Sequence, residues 1–185
     1  MIRTYRREKL LNAILYFVQH TKFCGKTKLM KLLYFLDFQH FKETGKSVTG
    51  LEYFAWDKGP VPVALFMEIS NEMPPDLKAT IAVMPGDKFQ KIAARREYTD
   101  EYFTNREKRL LEEISEIYAE AKADDIVEVS HLPNQPWQKT CAEKGMKKKI
   151  DYLLALDDMP DSLPFEEARE RMEEIAEMHN IFGTD

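Results

Sequence analysis

The chain has 185 residues, a mass of 21.7 kDa and a net charge of −5, and 44% of it is hydrophobic, with 11 Phe, 8 Tyr and 2 Trp. That length suits one domain burying roughly 70% of its unfolded surface, and the apolar content excludes a disordered chain. No apolar run approaches the roughly 20 residues of a membrane span, and MIRTYRREKLL leads into a helix without a signal-peptide core, so the expected place is the cytoplasm, with no membrane partner.

The charge is unevenly spread. Residues 1–60 carry 11 Lys+Arg against 5 Asp+Glu, a net +6, whereas residues 151–185 carry 2 against 11, a net −9. Such asymmetry fits a nucleic-acid face at one end and an acidic partner-facing segment at the other, or two ends that offset each other across the fold. Cys24 and Cys141 stand far apart in no CxxC pair, which points to reduced thiols and no structural zinc.

Residues 8–20 form an amphipathic helix with the stripe Leu10, Leu11, Ile14, Leu15 and Val18 and with Phe17 alongside. The next helix spans 29–41 and is apolar nearly all round: Leu29, Met30, Leu32, Leu33, Tyr34, Phe35, Leu36, Phe38 and Phe41. A helix without a polar face is buried, so this one is the expected core helix, with Thr27 as its N-cap and Gly45 as its stop. The pair is spaced like a helix-turn-helix, but its second helix lacks the polar face a DNA groove requires, which argues against DNA binding. The connection HTKFCGKT ends like a phosphate loop, yet His20 stands where the pattern needs glycine and a helix precedes it instead of a strand. Lys26, Lys28 and Lys31 are therefore read as a solvated helix start.

Residues 51–56 alternate, with Leu51, Tyr53 and Ala55 on one face, as in a strand. Gly59 permits a sharp turn, and Pro60 and Pro62 suit the first turn of a helix over 61–72. Segments 80–84 and 88–94 flank Pro85-Gly86-Asp87 as a hairpin, which together with 51–56 would form one small antiparallel sheet. Thr104 and Glu107 form a capping-box pattern for a helix bearing Leu110, Leu111, Ile114, Ile117 and Tyr118. A short helix over 125–130 delivers His131 and a loop to Trp137, and the apolar stretch 150–156 is either helical or extended.

After a Pro-bracketed linker, 157–164, a helix carries Phe165, Ala168, Met172 and Ile175 on one stripe and six glutamates elsewhere. It either packs back on its own domain or docks on a basic partner. In the second reading it mimics nucleic acid toward that partner, anchored by Phe165, Met172 and Ile175. The expected fold is mainly α with a small antiparallel β-sheet (α+β), one helical domain over 1–156 followed by the linker and acidic amphipathic helix over 157–185.

Chemistry is sparsely signalled. The four histidines have no second ligand at metal spacing, so neither a metal nor a cofactor is expected. Ser130 beside His131 lacks an oxyanion loop, and adjacency in sequence does not give attack geometry, so His131 is read as an imidazole bonded to backbone that holds the Trp137 loop. Trp56 and Trp137 are partner anchors or, more often for single tryptophans, core residues. The expectation is a binding protein, not an enzyme.

The runs Lys28-Leu29, Lys31-Leu32-Leu33-Tyr34-Phe35, Gly45, Ala55-Trp56 and Gly59-Pro60-Val61-Pro62 resemble the signature of the Panacea domain of SocA-like and phage-associated antitoxins. Ser130-His131 ahead of Pro136-Trp137 is similar to that family's second signature, and the resemblance covers roughly residues 10–156. It implies an antitoxin of a toxin–antitoxin pair that neutralises a cognate toxin encoded beside it by direct contact. It also implies, for SocA-like members, an adaptor role that hands the toxin to a protease; a nucleic-acid-binding regulator using the basic N-terminal third is a further alternative. Tyr34, Trp56, Lys58, Gly59, Pro60, His131 and Trp137 are the motif residues carried over as candidates for partner binding.

Overall fold

The computed structural model describes residues 5–86 and 88–182. Helix α1 (Tyr5–His20) begins three residues ahead of the expected start, where the Tyr5 hydroxyl donates to the Tyr102 carbonyl, and it buries Leu10, Leu11, Ile14, Leu15 and Phe17. It packs on α2 (Lys26–Thr44), whose Leu29, Met30, Leu32, Leu33, Tyr34, Leu36, Phe38 and Phe41 are all buried, so α2 is the core helix its all-round apolar sequence requires. Thr27 is not its N-cap. Gly25 holds that place in extended conformation; it has no side chain to cap with, and a β-bridge to Lys91 fixes it from outside. Gly45 ends the helix at φ +73°, where its N–H donates to the Phe41 carbonyl at 2.7 Å.

Strands β1 (Phe54–Trp56) and β2 (Gly59–Val61) make an antiparallel hairpin that pairs Phe54 with Val61, Ala55 with Pro60 and Trp56 with Gly59. The helix expected over 61–72 therefore starts later, as α3 (Val63–Ser70) behind Pro62, and Pro60 lies in a strand. Proline is tolerated there because Ala55 turns its backbone the other way: its N–H donates to Lys148 and its carbonyl accepts from Lys147. The Ala55–Pro60 pair thus needs no donor from Pro60.

Helix α4 (Pro75–Thr80), which the pattern did not reveal, precedes the hairpin β3 (Ile81–Met84) and β4 (Lys91–Ala94). The two hairpins form separate two-stranded sheets, not one. The second edge of β1 is taken by the 147–150 segment, with Ile150 N–H donating to Tyr53, and β4 instead pairs beside Cys24 and Gly25. Helix α5 (Asn105–Ile117) has the expected capping box, and Glu107 serves twice, accepting from the Thr104 amide and from buried Lys9 Nζ at 2.7 Å. Then come α6 (Ala123–Ser130), α7 (Pro136–Lys144), a 3-10 turn (Tyr152–Ala155) and α8 (Phe165–Phe182). The architecture is mainly α with small antiparallel β-hairpins, as read. Among the described residues no helix is long and apolar enough to cross a membrane.

The larger core lies between α1, α2, α5 and the β3–β4 hairpin. A smaller aromatic one holds Tyr34, Phe38 and Tyr53, with the Tyr152 ring stacked on Phe38 at 4.3 Å.

Candidate functional site

The two sequence signatures meet at the β2 corner. Gly59 has φ +93°, and a Cβ there would lie 2.6 Å from Ser130 Oγ, 2.9 Å from Lys31 Cε and 3.2 Å from His131 Nε2. Conformation and crowding both demand glycine at this point. The hairpin is thereby brought against the Lys31, Ser130 and His131 side chains of α2 and the end of α6 with no side chain of its own at Gly59.

Lys31, expected in solvent, is 1% exposed, and its Nζ donates to the Pro60 carbonyl at 2.7 Å. Burial pushes its pKa down to about 7. Lys28 is fully buried as well, and its Nζ donates to the carbonyls of Lys22, Tyr118 and Ala121, each at 2.7 Å. Those last two carbonyls lie in the turn just beyond α5, so the ammonium ties the α5 end to the α1–α2 turn. Only Lys26 remains partly exposed at the helix start. On a helix with no polar face Lys28 and Lys31 have nowhere solvated to go, and their ammonium groups donate to backbone carbonyls instead.

His131 does not bond to backbone through its ring. Its imidazole stacks on the Trp137 indole at 3.8 Å and 14°, its Nε2 is enclosed without a hydrogen bond, and burial followed by the nearby Lys31 charge lowers its pKa. The loop is secured by Trp137 itself, whose Nε1 donates to the Trp56 carbonyl at 2.9 Å. Ser130 Oγ donates to the Val127 carbonyl at 2.8 Å, so its hydroxyl is committed to its own helix. The Trp56 ring is half-buried, edge-on to Phe66 at 5.4 Å. Lys31, Gly59, Pro60, His131, Trp56 and Trp137 are thus one junction, whereas Lys58 sits apart on the exposed β1–β2 turn.

Tyr34 is 1% exposed and lies edge-on to Tyr53 at 5.6 Å. Its hydroxyl faces the Trp137 backbone amide without a hydrogen bond of standard geometry, and burial raises its pKa. Three residues on, fully buried Asp37 was not singled out by the sequence. Its carboxylate accepts from the Val48 amide at 2.8 Å, the Thr49 amide at 2.7 Å, the Thr49 hydroxyl and the Tyr53 hydroxyl at 2.7 Å, while burial pushes its pKa up to about 6. It fixes the chain between α2 and β1. The signal was available: an acid inside an apolar helix has to be buried with donors around it.

The tail candidates separate. Met172 and Ile175 are half-buried and face their own domain, while Phe165 is 51% exposed. Ala168 is fully buried, Arg171 Nη1 donates to the Thr44 carbonyl at 2.7 Å, and Lys42 pairs with Asp157 and Asp161 of the linker. Of the stripe expected to anchor a partner, Met172 and Ile175 face the body and Phe165 faces solvent. Among the described residues no group of three or more His, Cys, Asp or Glu is placed to hold a metal ion.

This is a mainly α domain whose sequence-distinctive residues converge on one internal corner and fix its loops. The chain belongs to the family described as antitoxin SocA-like, Panacea domain, whose model matches residues 29–138. The match runs from the first apolar turn of α2 to just past Trp137, a shorter reach than the 10–156 of the sequence resemblance, and it leaves α8 outside. No curated protein and no solved structure matches the chain.

Proposed function

We propose that this protein is an antitoxin that neutralises the product of a neighbouring gene by direct, stoichiometric protein–protein contact. Membership of the SocA-like antitoxin family carries this reading. The geometry is in keeping with it: Ser130 and His131 are spent on a helix carbonyl and an indole face, so both serve the Trp137 corner and not a reaction. The corner is scaffold, and it holds the hairpin and α7 in place while the outer surfaces remain for a partner.

The test is co-expression of each adjacent open reading frame with and without this chain, followed by gel filtration of the pair. The expected result is growth arrest by the neighbour alone, rescue by the pair and a stoichiometric complex. A harmless neighbour, or rescue without a complex, would overturn the reading.

A further inference from the structure

The C-terminal end of α5 carries charge of the sign that a helix end disfavours. Carbonyls without helical partners make that end the negative pole, so acids there cost stability and cations add to it. The last turn of α5 holds no basic residue, yet Glu112, Glu113 and Glu116 precede the end and Glu120 follows it in the turn to α6. Glu112 and Glu116 are spaced i, i+4, and Glu113 and Glu116 i, i+3, so like charges also face each other. All four are exposed. Glu113 reaches Arg109 at 3.7 Å, a guanidinium that Glu43 already holds at 2.9 Å, and Glu120 pairs with Lys22 in open solvent, where such a pair offsets little. Glu112 and Glu116 have no ion pair among the described residues.

Glu113 and Glu116 share their face with Ile117, which is 71% exposed. Glu113 and Ile117 also line a groove of about 430 Å³ between α2, α5 and the 3-10 turn. Phe35, Tyr118 and Leu154 in its walls are only half-buried, and Tyr34, whose enclosed hydroxyl makes no hydrogen bond, lines it as well. The cations of the groove are engaged: Lys42 pairs with Asp157 and Asp161, and Lys139 donates to the Leu154 carbonyl. No described residue of α8 lines it, and α5 lies wholly within the family-matched residues 29–138. Local choices that oppose the fold mark function.

On the antitoxin reading, on which this rests, we infer that the Glu113–Ile117 end of α5 and its groove form the surface that receives the toxin, and that the toxin meets it with lysines or arginines around an apolar side chain. The partner's cations offset the acids that α5 carries against its own pole. Its apolar side chain packs on Ile117 and enters the groove between Phe35, Tyr118 and Leu154. Opposite charge steers the encounter, and the apolar contact holds the complex.

The test uses the full chain and the neighbouring gene product whose toxicity it relieves, with association and dissociation rates measured at low and high salt. Association with the wild type should slow as salt rises. Glu113→Gln combined with Glu116→Lys should slow association by about tenfold or more and flatten that salt dependence. Ile117→Ala should speed dissociation by about tenfold. Rescue should fall in both without any drop in melting temperature, since these side chains are exposed and the double variant relieves repulsion. Glu170→Lys combined with Glu174→Lys, on α8, should leave rescue intact. If the wild type rescues and binds while the α5 variants do so equally well, or if only the α8 variant loses rescue, the inference is overturned and the antitoxin reading stands. A wild type that relieves no neighbour's toxicity overturns both.

Discussion

Helices α2 and α8 are nearly equal in length, 19 and 18 residues, and they treat charge in opposite ways. On α2 the charges Lys28, Lys31 and Asp37 are enclosed, each with named partners: three carbonyls, one carbonyl, and four donors. On α8 only Ala168 is fully buried among the described residues, and Glu166, Glu170, Glu173, Glu174 and Glu177 all stand in solvent. A buried charge needs partners or gives up its charge, as the lowered pKa of Lys31 with its single carbonyl shows, so α2 constrains the position of the groups that meet these charges. A solvated charge constrains little locally and contributes to a field.

The comparison breaks most visibly at Asp37. Asp37→Ala leaves two amides and two hydroxyls enclosed without an acceptor and should cost about 3 to 5 kcal/mol, or on the order of 10 °C in melting temperature. An unchanged thermal melt would mean that something else holds the chain between α2 and β1. The pH dependence carries a definite sign. The folded-state pKa of about 6 lies above the ordinary 3.8, so between those values the folded protein binds a proton that the unfolded chain does not. Ionised Asp37 therefore costs stability above about pH 6, and the cost is relieved as pH falls toward 4. Denaturant unfolding across that interval should show this stabilising contribution on acidification in the wild type and not in Asp37→Asn.

At the corner where α2 meets the hairpin, Gly59→Ala places a Cβ 2.6 Å from Ser130 Oγ at φ +93° and should cost about 2 to 4 kcal/mol. Wild-type stability in that variant would refute the crowding argument. Truncation after Asp158 probes the other side of the comparison. It removes the buried Ala168 and the Arg171 bond to Thr44, and a loss of about 1 to 2 kcal/mol, read as a few degrees of melting temperature, is expected. A larger collapse would make α8 as structural as α2. His131→Ala should be the mildest, about 1 kcal/mol for the lost stack on Trp137, with neutralisation falling only as the folded fraction falls. A variant that keeps its stability yet fails to rescue cells would place His131 in direct contact with the toxin.

The contrast also explains what could be read from sequence. Periodicity and caps were enough for α1, the α2 core, the Thr104–Glu107 box and α8, because each is set by residues near one another in the chain. The strand at Pro60 was hidden, since whether a proline is harmless there depends on Ala55 turning to residues 147 and 148, far along the chain. Helix α7 has a weak apolar pattern, and its Pro136 at the first helical turn also fits the end of a loop. The burial of Lys28 and Lys31 follows from an α2 that is apolar all round, although a lysine run at a helix start alone points to solvent. Most of the corner was legible as a pair of motifs; its geometry, with His131 stacked instead of bonded, was not.

The Lys28 clamp also sets an order of events as the chain is made. Its carbonyls at Tyr118 and Ala121 are 90 and 93 residues downstream. At ribosomal speeds of roughly 5–20 residues per second, they emerge about 5 to 20 seconds after the lysine does. Until then the ammonium has only the Lys22 carbonyl of its three acceptors, and the central helix cannot settle into its final seat. The edge of β1 waits longer still, for residues 147 and 148. The body thus closes only when nearly the whole chain is out, so a nascent or prematurely ended copy leaves the ribosome with its core helix open, a ready substrate for proteolysis.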